Sequence, residues 1–336
     1  MTMRLIPGCI NGKVFIIILN WNGKDDTIEC LSSVYKIEYH DFAVVVVDNG
    51  STDKSTETIR NIFPQTTIIE NKANLGFAGG NNIGIRYALE RRADFILLLN
   101  NDTITDPNIL TELIIAYKAL QNPGFLGCKI YFYDRPETIQ YFGGDYSHDH
   151  ILKGFHVGED ERDDGRFNYI AETGYVTGCA MFTHRSLIDT IGLLDERFFL
   201  YWEDGDWCLR ARAAGFKHYV VPGAKLWHKV SASNKNGSSV NVFYTSRNRF
   251  LFAKKHGFQL RPLYWSYILI HDVLKTRWDQ RFSAVYYILL GHIFALLGIY
   301  GRMPKALDRN IIGSAERKVH NILKGCKNFL RQFFAC

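Results

Sequence analysis

VFIIILNWNG (14–23), FAVVVVDNGSTD (42–53) and FILLLNNDT (95–103) share a design in which a short apolar run stops at a polar cluster. The runs VFIIIL (14–19), FAVVVV (42–47), TTII (66–69) and FILLL (95–99) are too short for buried helices, and the first two are rich in β-branched residues. Apolar runs without alternation read as strands covered on both faces, the habit of parallel sheets. Between them, amphipathic stretches at about 24–36, 53–63, 78–92 and 106–121 read as helices. Asp53 or Ser51 suits a cap for the second, and Asp106-Pro107 suits the start of the fourth. The alternation predicts an α/β fold, a mostly parallel mixed sheet flanked by helices with right-handed crossovers. Ligands of such sheets bind outside the carboxyl ends of the strands. Asn20-Trp21-Asn22-Gly23, Asp48 to Asp53 and Asn100-Asn101-Asp102-Thr103 are therefore expected to converge on one crevice. Each cluster alone is ordinary turn and cap chemistry; three in one chain point to a site.

Beyond residue 125 the pattern breaks into shorter strands and loops, with GEDERDDGR (158–166) reading as a mobile loop, and no internal repeat is present. A length of 336 residues favours one large domain with an appendage. Hydrophobic residues at 47% and charged residues at 22% exclude wholesale disorder and low-complexity classes. The seven cysteines (Cys9, Cys30, Cys128, Cys179, Cys208, Cys326, Cys336) are odd in number and lack Cys-x-x-Cys spacing. That argues against a disulfide scaffold or zinc ribbon and suits a reducing, cytoplasmic compartment. The opening MTMRLIPGCINGK has no apolar core of a secretory signal, so export by that route is not expected. The net charge of +6 is uneven: residues 254–336 carry fourteen Lys/Arg against four Asp/Glu. A mildly acidic body does not suit nucleic acid. The tail holds LYWSYILI (263–270) and FSAVYYILLGHIFALLGIYG (282–301) between basic flanks, as expected of helices lying on an anionic membrane surface.

The ordered set ILNWNG, VVVVDNGSTD, NLGFAGGNN, LLLNNDT, GCAMF and FFLYWEDGDWCLRARAAGF, spanning roughly residues 12–255, resembles family 2 glycosyltransferases, inverting enzymes of the GT-A fold, and most of all their rhamnosyltransferase-like branch. The resemblance implies a GT-A domain over 1–255, with a nucleotide-binding half at 12–125 and an acceptor and catalytic half at 126–255. A basic, apolar helical region at 256–336 would associate with the inner face of the cell membrane. It further implies a UDP- or dTDP-sugar donor, by preference dTDP-L-rhamnose, and a saccharide or lipid-linked saccharide acceptor in surface polysaccharide synthesis. UDP-hexose and UDP-N-acetylhexosamine remain as alternative donors.

The same resemblance gives roles to residues. Asp48 would accept a hydrogen bond from the imide of uracil or thymine, with Asn20, Trp21 and Asn49 about the base and ribose. Asn74, Gly76, Gly80, Asn81 and Asn101 would complete the nucleotide site; three glycines entering a helix allow close backbone approach. Asn100-Asn101-Asp102 stands where the family has Asp-x-Asp, so Asp102 alone keeps the carboxylate for Mg²⁺ or Mn²⁺, joined by His228. Three carboxylates within Glu203-Asp204-Gly205-Asp206 repel one another unless they are exposed or used. Asp204 would be the general base, Glu203 the second choice, and Asp206 a partner for Arg210 or Arg212. Gly178 and Cys179 would form the acceptor-side wall, and Arg247 and Arg249 would reach the diphosphate from a closing loop. A pyrophosphorylase would need a basic, glycine-rich loop after the first strand, where this chain has a single lysine, Lys24. A non-catalytic nucleotide-sugar-binding protein is the rival of another class, favoured by Asn100 and opposed by Asp102 and Asp204.

Overall fold

The computed structural model describes residues 11–147, 152, 154–229, 239–258 and 281–304, with backbone alone for 239–240 and 281–284. The chain forms two compact units, residues 1–235 and 236–336, so the division falls ahead of residue 255.

The first unit begins β1 (Val14–Asn20), α1 (Lys24–Val34), β2 (Phe42–Asp48), α2 (Ser55–Ile62), β3 (Thr67–Glu70), α3 (Gly76–Glu90) and β4 (Phe95–Asn100), the predicted alternation. β5 (Thr103–Thr105), α4 (Ile109–Ala119), β6 (Pro123–Phe132), β7 (Ile139–Tyr141), β8 (Gly144–Tyr146), β9 (Gly154–His156) and β10 (Ala171–Thr173) follow. β11 (Ala180–His184), α5 (Arg185–Ile191), α6 (Glu203–Ala213) and β12 (Lys217–His228) complete it. α4 starts later than Asp106-Pro107, because Asp106 folds back to accept the Asn108 N–H at 2.9 Å.

Ten strands make one mixed sheet whose main path runs β10-β12-β6-β11-β4-β1-β2-β3. β3, β2, β1 and β4 are parallel, and Ile16, Val46 and Leu97 at their centre are fully buried. The chain builds outward from β1 to β3 and then returns to place β4 on the other side of β1. The resulting reversal of strand order opens the crevice between the ends of β1 and β4. β11 enters antiparallel between β4 and β6, and β12 lies parallel to β6. The stretch 158–166 is tied down rather than free. Asp163 accepts from the fully buried Lys129 at 2.8 Å and from the Tyr131 hydroxyl at 2.6 Å. A buried ammonium needs such partners, since an unpaired charge there is costly.

The second unit contains α7 (Ser239–Lys255) and α8 (Arg281–Leu296). They approach closely at Gly291, where an added Cβ would stand 2.9 Å from the Phe243 carbonyl oxygen. Phe243 meets Phe294 edge-on at 5.4 Å, and Phe250 meets His292 at 4.8 Å. Among the described residues no helix is long and apolar enough to cross a membrane. The expected surface-seeking run 263–270 lies outside the described residues, as do Cys9, Cys326 and Cys336. Cys30, Cys128, Cys179 and Cys208 are buried free thiols.

Candidate active site

The ends of β1 and β2 are held in register, Asn20 opposite Asp48, and their side chains answer one another. Asn20 donates to Asp48 Oδ1 at 2.7 Å and to Ser51 Oγ at 3.2 Å, while its own oxygen accepts from Thr27 Oγ1 at 2.9 Å and from the Gly23 N–H at 3.2 Å. Asp48 Oδ2 accepts the Ser51 N–H at 2.9 Å. Each carboxylate oxygen has a second lone pair, so Asp48, though buried, keeps acceptor capacity. Trp21, next in sequence to Asn20, is 57% exposed. Asp53 sits ahead of α2, where it accepts the Ser55 N–H at 3.1 Å; its other oxygen takes the Lys24 N–H at 3.1 Å, joining the starts of α1 and α2.

Asn49 ties β2 to the segment entering α3, donating to the Gly76 carbonyl at 3.0 Å and accepting from Asn71 at 2.9 Å. Asn74 accepts the Gly76 N–H at 2.8 Å. Gly76 has φ +76°, and a Cβ there would strike the Phe199 carbonyl oxygen, so glycine is required twice over. Gly80 has no room for a Cβ beside Leu19 and Asn49. Asn81 is buried and donates to the Phe77 carbonyl at 3.0 Å, and Asn101 donates to Thr27 Oγ1 at 2.9 Å. Several residues expected at the nucleotide thus spend hydrogen bonds on shaping the crevice wall.

Asp102 and His228 meet although they are far apart in sequence. β5 pairs antiparallel with the end of β12, His228 opposite Thr103, and the Lys229 N–H reaches the Asp102 carbonyl at 2.9 Å. The His228 Nε2 consequently lies 3.1 Å from Asp102 Oδ1, both groups buried. The other ring nitrogen, Nδ1, is 2.9 Å from Gln140 Oε1 on β7. A carbonyl oxygen on the second nitrogen is the usual way a ligating histidine is oriented. Burial alone would disfavour the imidazolium, but Cys179 and Asp102 outweigh it and hold the His228 pKa well above its ordinary value. No group of three or more metal-ligating His, Cys, Asp or Glu side chains occurs among the described residues. One carboxylate and one imidazole would fit a divalent ion that displaces the proton shared by Asp102 and His228 and takes its remaining ligands from phosphate and water.

α6 opens on Glu203 and Asp204 after an aromatic run in an uncommon conformation: Phe199, Tyr201 and Trp202 have φ +65°, +69° and +77°. Bulky residues there store strain, which persists where the surroundings enforce it. Here the enforcement includes the Phe77 N–H on the Phe199 carbonyl at 2.6 Å. It also includes Arg210, which donates to the Ile191 and Leu193 carbonyls and pairs with the buried Asp206 at 3.0 Å, as the i, i+4 spacing predicted. Asp204 is half-buried; its carboxylate accepts the Gly178 N–H at 2.9 Å and the Gly205 N–H at 2.7 Å. Burial raises its pKa against those two N–H groups and the nearby His156, which favour the anion. Glu203 is buried deeper, its Oε2 has no hydrogen-bond partner among the described residues, and burial with Asp204 and Asp206 nearby pushes its pKa well up. Of the two carboxylates, Asp204 is the one whose hydrogen bonds favour the anion, whereas Glu203 is the more strongly held as the neutral acid.

Arg247 and Arg249 lie in the second unit, on the helix α7 rather than on a loop. Arg247 is fully buried, donates to the Gly301 carbonyl at 2.6 Å, and has its pKa brought down to about 10 by burial. Gln140 and His156 escaped the sequence reading: each is an isolated polar residue on a three-residue strand, where no periodic signal exists.

Residues 15–192 match the family described as "Glycosyl transferase family 2". Over 255 residues the chain is 23% identical to a dTDP-rhamnosyl transferase, RfbF, of Shigella flexneri, covering 74% of this chain and 82% of that protein. Over 245 residues it is 26% identical to an N-acetylglucosaminyl-diphospho-decaprenol L-rhamnosyltransferase of Mycobacterium tuberculosis, covering 67% and 79%. Among solved structures it is similar in fold to GalNAc-T7 with UDP, GalNAc and Mn²⁺, at a TM-score of 0.55 and 15% identity over 84% of this chain and 58% of that one. With more than half of its length inside the family match, the chain belongs to glycosyl transferase family 2.

Proposed function

We propose that this chain transfers L-rhamnose from dTDP-L-rhamnose, with inversion at the anomeric carbon, to a saccharide or lipid-linked saccharide acceptor in surface polysaccharide synthesis. The observation that carries the reading is the Asp204 carboxylate, gripped by two N–H groups at a strained helix start with its pKa raised by burial. Asp204 takes the proton of the acceptor hydroxyl as that oxygen forms its bond to the anomeric carbon. The nucleoside diphosphate departs from the opposite face, so a single displacement inverts the centre and needs no protein nucleophile. Asp48 accepts the imide N–H of the base, supported by its bracing from Asn20 and Ser51, and the exposed ring of Trp21 covers the base. Asp102 and His228 hold Mn²⁺ or Mg²⁺, with Gln140 orienting the imidazole. When bound, the ion neutralises the departing diphosphate. Residues 256–336 bring the site to the inner face of the cell membrane. Rhamnose as the sugar rests on the names of the two relatives.

The test is transfer from dTDP-L-rhamnose to N-acetylglucosaminyl-diphospho-decaprenol, with UDP-glucose and UDP-N-acetylglucosamine as competing donors. Each donor is run with Mn²⁺ and with EDTA. A rhamnosylated product of inverted anomeric configuration, lost in EDTA, is the expected result. A product from either UDP-sugar alone would replace the donor, and EDTA-resistant transfer would remove the ion. Donor hydrolysis in the absence of acceptor separates a transferase from a binding protein.

A further inference from the structure

Beside Asp204 stands a polar atom that the reaction as described does not use. His156 Nδ1 is buried and has no hydrogen-bond partner among the described residues. Such atoms are uncommon in folded proteins, and each calls for a physical reason. The surroundings supply one. β9 pairs with β8, placing His156 opposite Gly144, and two residues further along β8 Tyr146 stacks on Trp202 at 5.9 Å and 17°. Tyr175 lies 5.0 Å from Tyr146 and 6.1 Å from His156, and Tyr141 meets the imidazole edge-on at 5.1 Å. The imidazole also lies within electrostatic reach of the Asp204 carboxylate. An open ring nitrogen among aromatic rings, next to a carboxylate, is the mixture a sugar demands. Sugar rings present C–H faces that pack on aromatic groups and hydroxyls that need directed hydrogen bonds.

Resting on the reading of Asp204 as the base, we propose that His156 is a specificity-determining residue that hydrogen-bonds a second hydroxyl of the acceptor sugar, next to the hydroxyl that Asp204 deprotonates, with Trp202 as the apolar wall. The acceptor is then a pyranose with a free hydroxyl adjacent to the one glycosylated. Discrimination comes from the asymmetry of buried hydrogen bonds. A sugar lacking the second hydroxyl leaves the His156 nitrogen desolvated and unanswered, which costs more than the net worth of the bond.

The experiment uses the full chain with dTDP or UDP bound and reads glycoside binding by saturation-transfer NMR. The probes are the methyl glycosides of L-rhamnose, N-acetylglucosamine, galactose and glucose, with their monodeoxy analogues. The wild type is expected to bind at least one glycoside and to lose about tenfold in affinity, or more, for the analogue lacking one hydroxyl. His156→Ala should bind the parent glycoside as weakly as the wild type binds that analogue, and should show no further loss with the analogue itself. His156→Asn, which keeps polar groups in place, should recover part of the loss, and nucleotide affinity should be unchanged in both variants. Superimposable circular dichroism excludes misfolding as the cause. The proposal is overturned if no glycoside binds the wild type, or if His156→Ala binds the parent as tightly as wild type. Asp204→Asn separates the two readings: it should cut transfer by about 10²–10⁴-fold yet keep glycoside binding. An Asp204→Asn enzyme that transfers sugar near the wild-type rate would sink the base while leaving a His156 binding effect intact.

Discussion

At the ends of β1, β2 and β4, Asn20, Asp48, Asn49 and Asn101 are each answered by another protein group within hydrogen-bond distance. At the start of α6 and on β9, by contrast, Glu203 Oε2 and His156 Nδ1 are buried without partners among the described residues. There two adjacent carboxylates have raised pKa values and three aromatic residues hold positive φ. The first wall is a satisfied network that fixes geometry. The second is a frustrated cluster whose cost is tolerated because the surrounding fold over-determines it. A wall that only recognises can be built from closed hydrogen bonds, whereas one that moves a proton needs a group held away from its solution preference. The comparison breaks if changes on the two walls have similar consequences.

The largest effect is expected on the frustrated wall. Asp204→Asn keeps the shape but can answer only one of the Gly178 and Gly205 N–H groups and cannot accept the proton. Transfer should fall by about 10²–10⁴-fold, while nucleotide binding stays near wild type. A variant that loses nucleotide affinity in the same proportion would erase the distinction between the walls. On the satisfied wall, Asn20→Ala removes two donors and an acceptor shared by Asp48, Ser51, Thr27 and Gly23. The groups left unanswered should destabilise the protein by about 1–3 kcal/mol, read by chemical denaturation, and raise the donor KM. The kcat at saturating donor should move far less.

How much of this contrast the sequence carried depends on where the information resides. The four parallel strands and their polar ends were legible because each is a local run whose length and composition declare it; β1, β2 and β4 gain only Asn20, Asp48 and Asn100 over the predicted bounds. The antiparallel entry of β11 between β4 and β6 was not legible, since the register of strands some eighty residues apart is set by packing. The same holds for Asp102 and His228: their residue types suggested a metal, but their meeting depends on the β5–β12 register. GEDERDDGR read as mobile from its charge and glycines, because nothing local reveals the buried Lys129 that claims Asp163. The stretch about Arg247 differs in its local structure: a helix stands where a closing loop was expected, and the arginine donates to a carbonyl inside its own unit.

A smaller effect sharpens the contrast through pH. The Asp204 pKa is raised, mainly by burial, so its base form is lost as the pH falls through a value above that of an ordinary aspartate, about 3.9. The acid limb of kcat/KM for transfer should therefore lie above the ordinary carboxylate range. Nucleotide affinity, measured over the same interval, should not follow that limb. A limb at about pH 4 would mean that the aromatic run does not desolvate the base.

The smallest effect isolates Glu203. Burial and the neighbouring Asp204 and Asp206 raise its folded pKa well above the unfolded value. Stability tied to its proton is thus fully present below the unfolded pKa, about 4.3, and drains away as the pH rises toward the folded value. Glu203→Gln cannot ionise and escapes that loss. The variant and wild type should melt together near pH 4, and the variant should melt a few degrees higher at pH 8. Every other carboxylate titrates in both proteins, so the change in their difference with pH belongs to Glu203 and its coupling to its neighbours. A constant offset at all pH values would instead assign the effect to packing. Transfer by Glu203→Gln should survive at a reduced rate, because a neutral amide still fills the place of a neutral acid. Loss of transfer as deep as that of Asp204→Asn would make the two carboxylates one catalytic unit.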